Sequence, residues 1–172
     1  MTDFIQSLNV MNTKGSVIHN ASDDQFIRLW SPQLTGKDIK FILDSIGSDE
    51  YQMLILYNLG LRHPNEIRKY RLNETFNITN WKEHVVSFEE TPYPVKYIEV
   101  NHVKPSEIVK HLINIKYRNS YPLVINFISN QTLIRINPFF VDVVSEDIGL
   151  ISKLREVYRE RFEKLWEEVI NE

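Results

Sequence analysis

The stretch from Gln25 to Asn58 constrains the fold of this chain more than any other. "QFIRLW" (Gln25 to Trp30) is short, apolar and aromatic, a composition that suits a strand. Thr35 and Asp38 then stand at capping-box spacing. Behind them Ile39, Ile42, Leu43 and Ile46 recur at i, i+3, i+4, i+7, one face of a helix. Gly47 supplies the stop that many helices take after their last turn. "YQMLILYN" (Tyr51 to Asn58) is apolar at successive positions, as a strand covered on both faces is. Strand, helix and strand in so short a span make a βαβ unit. Its strands are expected to lie parallel, joined by a right-handed crossover.

The rest of the chain continues the alternation. Pro64 is placed to open a second helix through "NEIRKYRL". "FNITNW" and "HVVSFEE" read as strands, and the prolines of "TPYP" keep that stretch irregular or extended. "VKYIEVN" alternates as a strand, and Pro105 opens a helix with Ile108, Leu112 and Ile115 on its apolar line. "YPLVINFIS" and "TLIRIN" form a hairpin over Asn130 and Gln131, and "PFFVDVV" is one more strand. Ser145 then caps a helix running from Glu146 to the end, with Ile151, Leu154, Tyr158, Phe162, Leu165 and Val169 as its stripe. Residues 1–15 read as an arm or a short helix. The expected fold is one α/β domain over residues 1–172: a mixed sheet with a βαβ unit, a C-terminal hairpin and a long C-terminal amphipathic helix.

Composition narrows the chemistry. The 172 residues include no cysteine, which removes disulfides, cysteine nucleophiles and thiolate metal sites together. A net charge of −3 counts against a uniformly basic nucleic-acid binder but leaves room for a local patch. The N-terminus, "MTDFIQSLNV", lacks a basic region followed by an apolar core, and no run approaches the roughly 20 apolar residues of a membrane helix. A cytoplasmic protein without membrane contact is the expectation.

Two groups of residues carry candidate chemistry. His102 and Lys104 form an H-x-K triplet. On one strand such a pair would face a common phosphoryl group, the histidine as nucleophile and the lysine stabilising charge. Pro105 follows at once, and Val109 stands where a phosphodiesterase of this kind needs aspartate. The triplet therefore reads as a strand-to-helix junction, with a divergent phosphodiesterase or nuclease as the alternative. The second group is Arg62, His63, Arg68 and Arg71. Arg68 and Arg71 share a helix face, and Arg62 and His63 follow a strand end, where ligands of open sheets gather. That group is a candidate ligand or anion site, and nucleic-acid binding there is a further alternative. The histidines show no zinc-ligand spacing, and the five glycines never cluster into a phosphate loop. No metal and no cofactor are expected.

The segment "NQTLIRINPFFVDVVSEDIGLISKLREVYRERFEKLWEE" resembles the closing part of catalytically inactive phospholipase-D-like effector and sensor domains of prokaryotic regulators. The matching residues are Ser145, Glu146, Asp147 and the Phe162 to Trp166 run. The resemblance implies a non-catalytic α/β domain that senses a ligand or mediates assembly. Together these readings point to a non-enzymatic regulatory or interaction module that binds a partner protein or a small ligand.

Overall fold

The computed structural model describes residues 3–8, 17–58, 72–87, 95–118 and 124–160. Within these residues seven strands form one sheet: β1 (Phe26–Trp30), β2 (Tyr51–Asn58), β3 (Trp81–Val86), β4 (Val95–Val103), β5 (Val124–Ser129), β6 (Thr132–Ile136) and β7 (Phe140–Ser145). Their order across the sheet is β1-β7-β6-β5-β2-β4-β3. Among the described residues four α-helices accompany them: α1 (Asp3–Ser7), α2 (Gly36–Ile46), α3 (Pro105–Arg118) and α4 (Ile148–Val157). The fold has the expected α/β class, the C-terminal hairpin and a C-terminal amphipathic helix.

The strand pairing differs from a mixed sheet, because every pair is antiparallel. β1 and β2 flank α2 and run in the same direction, being four antiparallel steps apart, but β7, β6 and β5 lie between them. The β5–β6–β7 meander, built on two short turns, fills the places between β1 and β2. Asn130 makes the β5–β6 turn with φ 50, a left-handed conformation that asparagine tolerates. Asn137 makes the β6–β7 turn by accepting hydrogen bonds from the Phe139 and Phe140 amides.

Both faces of the sheet are covered, which explains the doubly apolar strands. On one face α4 packs on β1 and β7, with α2 beside it and α3 against α2. Ile39, Ile42 and Leu43 of α2, Ile108 and Leu112 of α3, and Ile151 and Leu154 of α4 meet Ile27, Ile55, Phe127, Ile134 and Val143 there. On the other face Ile5 and Leu8 cover Leu54, Leu56, Ile128, Leu133 and Val144. Residues 3–8, with α1 among them, are thus tied down by apolar burial.

Local sequence sets the helix ends. Thr35 and Asp38 form the capping box on α2, and Gly47 closes it at φ 70. The α4 cap differs from the expectation: Asp147 fills it, accepting from the Leu150 amide at 3.1 Å. Ser145 instead ends β7, where its hydroxyl bonds Thr132 and accepts from the Asp147 amide. "FNITNW" also departs from its strand reading. A 3₁₀ turn at Leu72–Glu74 leads into an irregular run, and β3 starts only at Trp81. Phe76 is the reason, since it plugs the core against Phe127 and His111, and the Asn77 amide bonds Glu107 rather than a ladder partner. The Pro64 helix and Phe162, Leu165 and Val169 lie outside the described residues.

Candidate functional site

The two candidate groups fare differently. Arg62, His63, Arg68 and Arg71 lie outside the described residues. His102 and Lys104 do not share a strand face. Between Tyr51 and Met53 the β2–β4 register shifts, leaving one extra residue on β4. His102 sits at this bulge with φ 63, which breaks the alternation an H-x-K pair needs. Its ring is 71% exposed and its Nδ1 lies 2.5 Å from a Glu50 carboxylate oxygen. Lys104 stands at the start of α3, where its amide donates to Glu107 at 2.8 Å. No group of three histidines or acids that could hold a metal ion occurs among the described residues.

His111 is the most deeply placed histidine described. It lies on α3 between Phe76 and Phe127, with ring centroids 5.2 and 5.8 Å away. Its Nε2 is buried without a hydrogen-bond partner among the described residues. Burial pushes its pKa down to about 4, so it is a neutral core residue at ordinary pH.

A charged row crosses the α1 side of the sheet. Asn126, Arg135, Asp142 and Arg28 stand directly opposite one another on β5, β6, β7 and β1. Arg28 grips Asp142 with two hydrogen bonds, at 2.7 and 2.9 Å, and stacks on the Phe140 ring at 3.9 Å. Arg135 donates to Asn126 at 2.8 Å. Burial pulls the Arg135 pKa down to about 10, with Arg28 adding to the fall and Asp142 opposing it. The sequence holds a signal for this row: "FIRLW", "LIRIN" and "FVDVV" each carry one charge inside an apolar run. An isolated charge there must be paired, because burying it alone is costly.

A cleft of about 560 Å³ lies between residues 73–78 and the first turns of α3. Its polar groups bond one another across the gap. Glu107 accepts from the Asn77 and Lys104 amides, Asn114 donates to Thr75, and Lys110 donates to the Glu74 carbonyl. These bonds tie the turn to the helix.

The far edge of the sheet is built differently from everything else. β3 pairs with β4 on one side and with no described strand on the other. Trp81 and Val85, on one face of it, are 58% and 61% exposed. On the other face Lys82 stands opposite Glu99 and His84 opposite Tyr97. The His84 and Tyr97 rings lie nearly parallel, 4.6 Å between centroids and 9° between planes. Glu99 accepts from His84 at 3.2 Å and from Asn101 at 3.1 Å, and Gln52 donates to Asn101 at 3.3 Å. Burial alone would raise the Glu99 pKa. The Asn101 bond, His84 and Lys82 outweigh it and hold the carboxyl below its ordinary value. An ionised Glu99 fixes the His84 ring with its Nε2 proton inward.

The opposite edge is guarded. Phe26, Ile27 and Leu29 of β1 are buried, and the Arg155 guanidinium bonds the Phe26 and Asp23 carbonyls. β3 has an ordered side-chain row and exposed apolar groups beside a backbone edge with no partner among the described residues, a combination suited to holding an extended chain. "WKEHVV" carries the signal in sequence, since its polar and apolar residues define no single buried face. Comparison of the chain with protein families, with curated proteins and with solved structures gave no match.

Proposed function

We propose that this protein is a non-enzymatic interaction module that takes up a partner protein strand along the outer edge of β3. The observation that carries the reading is the contrast between the two sheet edges. Phe26, Ile27 and Leu29 of β1 are buried and Arg155 bonds the Phe26 carbonyl, whereas β3 presents Trp81 and Val85, more exposed than Trp30 of β1, to solvent beside an edge with no described partner. An open edge is a template for another chain, and main-chain bonds supply affinity while alternate side chains supply choice. Lys82 and Glu83 keep such an edge selective, because an incoming strand must meet their charges.

Crosslinking in cells tests the proposal. A photoreactive residue replacing Val85 should give discrete protein adducts, and one replacing Lys40 on the exposed side of α2 should not. Combining Trp81→Ser with Val85→Ser should remove the complex without lowering the melting temperature. Equal adducts from both sites, or a complex indifferent to the double change, would sink the reading.

A further inference from the structure

The side chains on β3 specify what kind of strand fits there, and this step rests on the edge-docking reading above. We infer that the partner is an extended segment of another protein, antiparallel to β3, with an aromatic residue opposite His84 and an acid opposite Lys82. At the adjacent positions, on the other face, it carries apolar side chains opposite Trp81 and Val85.

The ring geometry supplies the first requirement. Neighbouring strands lie about 4.7–4.9 Å apart. The 4.6 Å separation of the His84 and Tyr97 centroids is therefore the strand spacing itself, and the stack runs across the sheet. A residue opposite His84 on an added strand stands one spacing further out, against the outer ring face. A flat aromatic side chain there extends the stack, an arrangement favoured across strands.

The charges supply the second. Glu99 stands opposite Lys82 on the inner side, and an acid on the outer side extends the alternation of charge along that row. The exposed Trp81 and Val85 select apolar neighbours by burial. β4 already meets three of these conditions from within, with Tyr97, Glu99 and Val100 opposite His84, Lys82 and Trp81. The partner strand therefore repeats the chemistry of β4.

A second copy of this chain fits less well. Joining two β3 edges antiparallel about a two-fold axis sets some residue against itself. The registers that pair most of Trp81–Val86 centre on Glu83 or on His84. The first opposes two carboxylates, which is unfavourable. The second opposes Lys82 to Val86. Neither brings an acid to Lys82.

The test is fluorescence anisotropy with the whole chain and a labelled peptide bearing Val-Tyr-Thr-Glu-Val, read antiparallel from Val85 to Trp81. The peptide should bind, and N-methylation of its alternate amides should abolish binding. Replacing its Glu by Lys should weaken binding about tenfold, the span between an attractive and a repulsive cross-strand pair. Lys82→Glu should reverse that preference, and Lys82→Gln, which adds no charge beside Glu99, should erase it. Replacing the peptide Tyr by Ala should cost several-fold in the native protein and nothing in His84→Ala. Binding that ignores the peptide's acid and aromatic overturns this inference while leaving the edge proposal standing. No binding by any peptide in the set also overturns it, and crosslinking at Val85 then decides the edge proposal separately.

Discussion

Lowering the pH should destabilise this protein through His111, by an amount that follows from its burial. The ring lies between Phe76 and Phe127 with no described partner for its Nε2, and burial takes its pKa from 6.5 to about 4. Above pH 6.5 the histidine is neutral in both the folded and the unfolded chain and contributes no pH dependence. As the pH falls through 6.5, the unfolded chain takes up a proton that the folded chain refuses, so stability is lost. The loss stops growing near pH 4, where the folded ring also protonates. At about 1.4 kcal/mol per pH unit the total is about 3 kcal/mol. For a chain of this size that lowers the melting temperature by about 6–12 °C.

Carboxylates also titrate in this window, so the assay compares urea denaturation of the native chain with His111→Leu between pH 7 and pH 4. The leucine fills similar volume and removes an unsatisfied polar atom, which keeps stability at pH 7 within about 1 kcal/mol. The native chain should lose about 3 kcal/mol more than the variant on acidification. Parallel pH profiles for the two would refute the reasoning, as would an imidazole that titrates near 6.5 by NMR.

Two further perturbations test the fold. Asp142→Asn removes the carboxylate that Arg28 grips and faces two guanidiniums with a neutral amide. It should cost about 3 kcal/mol in urea denaturation, and a loss below about 1 kcal/mol would show that the row carries little stability. Gly47→Ala places a side chain at φ 70 where no neighbouring atom interferes, so the cost is backbone strain alone. It should be about 1 kcal/mol, and an unchanged urea midpoint would contradict it.

The local elements were legible in sequence because their causes are local. Thr35, Asp38 and Gly47 bound α2 through bonds to their own helix, and Pro105 opens α3. The apolar runs of β2, β5 and β6 announce burial on both faces whatever their neighbours are. The order of the strands was decided elsewhere. Nothing within "QFIRLW" or "YQMLILYN" says that three strands from the C-terminal half lie between them. That depends on which turns close cheaply and which faces the helices cover. The same division runs through the candidate site. The types of Lys82, His84, Tyr97 and Glu99 are in the sequence, but their meeting depends on the β3–β4 register. A shift of one residue would send each to the other face. His102 shows the converse. Its spacing to Lys104 would give a shared face on an unbroken strand, and besides the Pro105 junction legible in sequence one bulge against β2 removes it, because alternation holds only where the backbone stays extended. Sequence by itself determined where this chain bends, starts and buries. Only tertiary pairing decided which strand stands at the edge among the described residues, because an edge is defined by which strands pair and not by the sequence of any one of them.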